Sequence, residues 1–342
     1  MATTSNAVSR RKTPELFDDT CGTGHSCWGQ QRFGDFVMFD LDPRTRALDC
    51  GGQRLVFDRP RIMGIVNVTP DSFSDGGEHF DADAAITHGL RLAEEGADIL
   101  DVGGESTRPG AVPVSSEEEL RRVIPVVEAL AKRTALPISI DTSKAEVMRA
   151  AVAAGAGFIN DVRALQSDGA LQAASESGVA VCLVHMQGEP GGMQNAPHYD
   201  DVLAEVHRFL TDRLFACEMA GIDRKRLVID PGFGFGKTLE HNLALLAGLN
   251  RFADLNVPLL AGLSRKRMIG TLTGRESAPD RLHGSVAAAV LAAERGALLL
   301  RVHDVAATRE ALAVQHAVAE VAAKLPSPKP SAPAIRWPED DL

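Results

Sequence analysis

Short apolar runs alternate with amphipathic stretches along most of this chain. The runs are Ile62–Asn67, Ile99–Val102, Ile138–Asp141, Phe158–Asn160, Val181–His185, Leu227–Asp230, Leu259–Leu263 and Leu298–Val302. Several are rich in Val, Ile and Leu without polar alternation, as expected of strands buried on both faces. A helical pattern follows, as in Asp83–Glu95, Ser116–Arg133, Lys144–Ala154, Asp201–Ala220 and Arg281–Arg295. Ser116 with Glu119 three residues on reads as a capping box. Gly96, Gly155, Gly221 and Gly296 stand where a helix C-terminus takes glycine. Eight strand–helix units predict a closed (β/α)8 TIM barrel, not an open doubly wound sheet. Ahead of it, 47–57 carries Gly51-Gly52 between apolar flanks and predicts a β-hairpin, placed to plug the bottom of the barrel.

The expected organisation is an irregular N-terminal extension (1–45), the barrel (46–322) and a proline-rich tail (323–342). The tail contains Pro326-Ser-Pro-Lys-Pro-Ser-Ala-Pro, which favours extended backbone. Residues 1–13 lack the apolar segment of a secretory signal, and no apolar run is long enough to span a membrane, so a cytoplasmic location is expected.

The chain has 342 residues, more than the ~250 typical of such a barrel, and the extensions account for the excess. Net charge is -10, which argues against nucleic acid as a partner. An anionic ligand must then be held by a local cationic cluster. Five scattered cysteines, Cys21, Cys27, Cys50, Cys182 and Cys217, make no disulfide framework. Cys21, His25 and Cys27 lack a second ligand pair at a zinc-site spacing.

In a barrel of this class chemistry sits where strands end and βα loops begin. Those ends carry Asn67, Asp101, Asp141, Asn160, His185, Asp230, Ser264 and Arg301 with His303. Buried polar groups are costly unless paired, so a structural network competes with a functional site for each residue alone; convergence of the set favours a site. Asp141, Asn160 and Asp230 combine acceptors with an amide that donates and accepts. They suit a flat heterocycle presenting adjacent N–H, NH2 and carbonyl groups. Arg108, Lys266, Arg301 and His303 form a cationic set suited to an anion, against the reading of solvated surface charge. The 230–238 segment, Asp-Pro-Gly-Phe-Gly-Phe-Gly-Lys-Thr, fails as a P-loop because Pro231 stands where the first glycine belongs. It reads as glycine-rich backbone around a ligand, with Lys237 beside Asp230. Phe233 and Phe235 either pack on a ring or fill the loop base. Cys182 reads as core, and His185 as orienting a neighbour.

Specific strings then resemble dihydropteroate synthases. They are Met63-Gly-Ile-Val-Asn-Val-Thr-Pro-Asp-Ser-Phe-Ser-Asp-Gly-Gly77 and Asp101-Val-Gly-Gly-Glu-Ser-Thr-Arg-Pro-Gly110. Asp141-Thr-Ser-Lys144, Asn160-Asp161, His185-Met-Gln187, the Asp230–Lys237 loop, Ser264-Arg-Lys266 and Arg301-Val-His303 follow in the family's order. The resemblance covers roughly residues 47–320. It implies a transferase that joins 6-hydroxymethyl-7,8-dihydropterin diphosphate to p-aminobenzoate and releases pyrophosphate, by an SN1-like substitution.

The resemblance also implies roles. Asp141, Asn160, Asp230 and Lys266 would hold the pterin, with Met186 and Phe235 on its faces. Thr107, Arg108, Arg301 and His303 would bind the diphosphate, and Asn67 a bridging Mg2+. Phe73, Thr107, Pro109 and Ser264 would form the p-aminobenzoate pocket. Asp141, Asp230, Lys266, Arg301 and His303 are the catalytic set. Asp71 or Asp75 would assist the metal or the developing cation. Homodimerisation and inhibition by sulfonamides are implied as well. Two other readings are methyltetrahydrofolate-dependent methyl transfer and a catalytically silent pterin-binding paralogue. The 67–77 loop and the Arg301/His303 pair argue against the first; the retained loop residues argue against the second.

Overall fold

A strand has a side-chain period of two, and that period divides each buried run of this chain between two cores. The computed structural model describes residues 47–68, 77–106, 113–188, 193 and 196–325. Phe73, Asp71, Asp75, Thr107, Arg108, Pro109, Cys21, His25, Cys27, the whole N-terminal extension and the tail from Pro326 onward lie outside the described residues.

The barrel strands are β3 (Arg61–Asn67), β4 (Ile99–Gly103), β5 (Ile138–Asp141), β6 (Phe158–Asp161), β7 (Ala180–Val184), β8 (Leu227–Asp230), β9 (Leu260–Ala261) and β10 (Leu299–Val302). All pair in parallel, in the order β8-β7-β6-β5-β4-β3-β10-β9. A parallel bridge between Ile229 and Leu259 joins the two ends of that order. This is the predicted (β/α)8 architecture. Helices α1 (Gly77–Glu94), α2 (Ser116–Arg133), α3 (Ala145–Ala153), α4 (Ala170–Ser177), α5 (Val202–Met219) and α6 (Leu239–Ala247) follow β3 to β8 in turn, α7 (Arg267–Thr273) and α8 (Leu282–Glu294) both follow β9, and α9 (Val305–Ala322) follows β10.

The interior core contains Met63, Ile99, Phe158, Ala180, Cys182, Val184, Val228, Leu260 and Leu299. The larger outer core lies between strands and helices and includes Ile62, Leu100, Ile140, Ile159, Leu183, Ile229 and Leu300. The interior residues alternate with the outer ones along each strand, as the pleat requires. The predicted hairpin is present as β1 (Ala47–Cys50) and β2 (Gln53–Val56), antiparallel across Gly51-Gly52. Its Leu48, Cys50 and Leu55, with Phe57 just beyond, belong to the interior core. The hairpin therefore packs on the barrel's inner layer, as expected. Gly157 makes room for it: a Cβ there would lie 2.1 Å from the Cys50 carbonyl oxygen.

One local expectation shifts by a residue. The α2 cap is Ser115, whose side chain accepts from Glu118 N at 3.2 Å. Ser116 instead donates to Glu146 Oε2 at 3.0 Å. Glu119, expected to close the capping box, is buried and receives Lys144 Nζ at 2.5 Å. A tertiary ion pair outcompetes the local one. The four glycines expected at helix ends, Gly96, Gly155, Gly221 and Gly296, all have left-handed φ.

Candidate active site

Along five of the strands, continuing the interior face toward the carboxyl end leads to a polar or charged side chain. Ile99 is followed two residues on by Asp101, Ser139 by Asp141, Phe158 by Asn160, Val228 by Asp230 and Leu299 by Arg301. These polar side chains close the interior core at the end where the βα loops begin. Register places Asn67 opposite Gly103, Gly103 opposite Asp141 and Asp141 opposite Asn160. Gly103 presents no side chain between Asn67 and Asp141, so that row stays open.

Arg301 organises the floor. Its Nε donates to Asp101 Oδ2 and its Nη2 to Asp141 Oδ2, each at 2.6 Å. Asp101 is fully buried and also accepts from Ser139 Oγ at 2.5 Å and Asn160 Nδ2 at 3.4 Å. Burial pushes the Asp141 carboxyl up to about 7, against the pull of Arg301. Burial also raises Asp230, opposed first by Lys266 and then by the Gly232 N–H that it accepts at 2.7 Å. Burial lowers Lys266 to about 8, with Asp230 opposing. Asn160 is buried, and its Oδ1 has no hydrogen-bond partner. A buried amide oxygen left unpaired is costly and marks a place where a ligand donor would fit.

The glycine-rich loop after β8 wraps this floor. Gly232 has φ +71, and a Cβ on it would lie 1.8 Å from the His185 carbonyl oxygen. Phe233 is fully buried and fills the loop base, whereas Phe235 is only partly buried. The Lys266 ammonium stands 4.2 Å from the Phe235 ring centroid and donates to the Phe233 carbonyl. Lys237, expected as a charge or hydrogen-bond donor beside Asp230, does feel that carboxylate's charge but makes its hydrogen bonds elsewhere. It donates to His185 Nδ1 and Gly232 O at 2.9 Å and to Phe235 O at 3.0 Å. Loop carbonyls need donors once buried, and Lys237 supplies them. His185 pairs with Lys237, and burial, then the charge of Lys237, hold its own pKa down to about 2. Cys182 is buried core.

Beyond β9 and β10, His303 donates from its backbone N to Ser264 Oγ at 3.1 Å, and its Nδ1 lies 3.0 Å from the same oxygen. Met186 is half-buried just past β7, and Asn67 is half-buried at the end of β3. The described residues thus unite Asp141, Asn160, Asp230, Lys266, Phe235, Ser264, Arg301 and His303 around one barrel mouth. Sequence reasoning undervalued Asp101, which holds Arg301. Its place two residues beyond the interior Ile99 was the available signal.

Residues 63–303 match the family described as pterin binding enzyme. The dihydropteroate synthase of Escherichia coli (strain K12) is 56% identical over 266 residues, covering 78% of this chain and 94% of that protein. The chain belongs to the dihydropteroate synthase family of pterin-binding enzymes. It is a transferase. A solved dihydropteroate synthase of Xanthomonas albilineans with 4-aminobenzoic acid is 67% identical, with TM-score 0.77 over 80% of this chain and 98% of that one. Another structure from that organism, 65% identical with TM-score 0.74 over the same shares, holds 7,8-dihydropteroate. A dihydropteroate synthase of Yersinia pestis solved with a sulfonamide drug is 51% identical, with TM-score 0.77 over 80% of this chain and 99% of that one.

Proposed function

We propose that this barrel mouth condenses 6-hydroxymethyl-7,8-dihydropterin diphosphate with p-aminobenzoate, giving 7,8-dihydropteroate and pyrophosphate. The observation that carries the residue assignments is the buried, unpartnered Asn160 Oδ1 on the strand next to the largely buried Asp141, with the buried Asp230 at the same mouth. An acceptor set of that kind fits the N–H, NH2 and carbonyl edge of a pterin. Asp141, Asn160 and Asp230 take that edge, Lys266 donates from above the Phe235 ring, and Met186 and Phe235 line the ring faces.

The diphosphate is assigned to Arg301 and His303, together with Thr107 and Arg108. Two of the Arg301 N–H groups already serve Asp101 and Asp141, so this guanidinium binds an anion with the groups that remain. Ser264, with Phe73, Thr107 and Pro109, forms the p-aminobenzoate pocket. Asn67 offers a hard amide oxygen at the same mouth. Among the described residues no group of three or more His, Cys, Asp or Glu is placed to hold a metal. A cation held by one side chain, a diphosphate and waters is the coordination that Mg2+ favours. Bound there, Mg2+ would neutralise charge on the leaving diphosphate.

The substitution is SN1-like. The C–O bond to pyrophosphate breaks and its electron pair leaves with the phosphate oxygen. Positive charge spreads into the pterin ring, where ionised Asp141 and Asp230 stabilise it. The aniline nitrogen of p-aminobenzoate forms the new C–N bond and then releases a proton to pyrophosphate or water. Positioning and electrostatics supply the catalysis, and no protein nucleophile takes part.

Val314, Val318 and Val321 of α9, with Leu325 just beyond it and Leu291 of α8, are exposed apolar residues. The spacing of Val314, Val318, Val321 and Leu325 makes one stripe, which suits a homodimer through α9. Sulfonamides, as p-aminobenzoate mimics, are expected inhibitors. Among the described residues no helix is long and apolar enough to cross a membrane, in keeping with a cytoplasmic enzyme.

The test is pyrophosphate release from purified protein given the pterin diphosphate and Mg2+. Release that requires p-aminobenzoate and stops with EDTA supports the reading. Absence of release with pterin still bound overturns it.

A further inference from the structure

The turn between β9 and α7 is built around a residue in a conformation that its side chain does not favour. Arg265 has φ +58, left-handed backbone that L side chains rarely adopt. Lys266 N donates to Leu263 O at 3.3 Å across the same turn. Such a conformation persists only where surrounding contacts fix it, and here they converge from three elements. Arg265 N donates to Ser285 Oγ of α8 at 2.9 Å. Arg281, immediately before α8, donates from Nη1 to Arg265 O at 2.8 Å, while Ser285 Oγ donates to Arg281 O at 2.7 Å. The guanidinium then pairs in bidentate fashion with Asp304, Nε donating to Oδ2 at 2.9 Å and Nη2 to Oδ1.

Asp304 is the residue after His303 and sits at the N-terminus of α9. The β9 and β10 loops are thus laced by two adjacent cross-links, Ser264 to His303 and Arg265 to Asp304. We propose that Arg265 is a positioning residue for the substitution: its left-handed backbone sets the directions of Ser264 and Lys266, and its pairing with Asp304 fixes His303 against Ser264. Arg265 need not touch either substrate for this. The bidentate fork is what one ammonium cannot reproduce, so arginine is the side chain suited to the task. The inference rests on the assignment of Ser264 and His303 to the p-aminobenzoate and diphosphate sites.

The test compares Arg265→Gly, Arg265→Lys and Asp304→Asn with Ser264→Ala and His303→Ala. Glycine accepts left-handed backbone without strain, so Arg265→Gly isolates loss of the guanidinium. Misplacing groups by a fraction of an ångström commonly slows turnover, so kcat/KM for p-aminobenzoate should fall about tenfold or more in Arg265→Gly and Asp304→Asn. Arg265→Lys should recover part of that loss. The double variant Arg265→Gly/Asp304→Asn should be no worse than Arg265→Gly alone, because both remove one interaction. Affinity of Arg265→Gly for the diphosphate-free pterin, measured by calorimetry, should change by no more than about threefold, since glycine keeps the left-handed backbone that directs Lys266 and Asp141, Asn160 and Asp230 are untouched. Wild-type kcat/KM in Arg265→Gly and Asp304→Asn, with Ser264→Ala and His303→Ala impaired, overturns the positioning role and leaves the site assignment standing. Additive losses in the double variant, or a lowered Tm with unchanged kcat/KM, overturn it equally. Full activity of Ser264→Ala and His303→Ala removes the site assignment, and the positioning role with it.

Discussion

Lys237 Nζ lies 2.9 Å from His185 Nδ1, two buried residues 52 positions apart in the chain. Burial lowers the pKa of Lys237 well below its ordinary value, with Asp230 opposing; while it is charged it has only donors, so Nδ1 accepts and the imidazole proton sits on Nε2. With its pKa held down to about 2 by burial and by Lys237, His185 stays neutral across the working range. His185→Gln should therefore leave the shape of the kcat/KM profile against pH unchanged. Stability should fall by about 1–3 kcal/mol, because Lys237 loses a buried acceptor. Rate measurements across pH, with denaturant melts, check both; a missing limb in the profile would assign His185 to proton transfer.

Arg301 is the second test. From sequence it is a diphosphate ligand. In the structure it also neutralises Asp101 and Asp141. Breaking a buried ion pair from one side leaves an uncompensated charge costing about 3–5 kcal/mol. Arg301→Ala should accordingly lose both turnover, by about a hundredfold or more, and stability. Asp101→Asn in the Arg301→Ala background should recover stability but not turnover. Stability unchanged in Arg301→Ala would show that Asp101 and Asp141 do not depend on the pair.

Which features were legible in the sequence follows from their range along the chain. Strand ends were readable because polarity two residues beyond an interior hydrophobe stays on the interior face, as in Ile99–Asp101 and Val228–Asp230. The hairpin was readable from Gly51-Gly52, both of which adopt left-handed φ. β9 was overextended: Leu259–Leu263 was expected, but only Leu260–Ala261 pairs as strand, the chain then entering the turn around Arg265. Nothing local marks arginine for a left-handed position. The partners of Lys237 and Glu119 were likewise invisible, since their spacing belongs to neither a helix nor a strand period. The Ser115 cap was missed because Ser115 and Ser116 are both good caps, and the choice between them follows the pull of Lys144 on Glu119.

Gly232 offers a steric test of the loop after β8. An added methyl would meet the His185 carbonyl oxygen, and φ +71 is strained for alanine besides. Backbone must move to relieve both, shifting the carbonyls that Lys237 holds. Gly232→Ala should destabilise the protein by more than about 2 kcal/mol and weaken pterin binding in parallel. Unaltered melts and unaltered pterin affinity would contradict the close approach of the two backbones.

The Asp141 carboxyl, raised to about 7 by burial despite Arg301, gives a pH signature. As proposed, pterin N–H groups donate to the ionised carboxylate. Protonation removes an acceptor, so affinity should fall as pH drops through about 7 and level off above it. Asp230 is raised by burial as well and acts in the same direction. Asp141→Asn should bind more weakly at high pH, and its slope of log affinity against pH should be shallower by up to one proton. Calorimetry with the diphosphate-free pterin between about pH 5 and 9, a range spanning the carboxylate and histidine reference values, measures both slopes. Equal slopes in the two proteins would mean that Asp141 does not change protonation over this range, and that its contact with Arg301 keeps it ionised throughout.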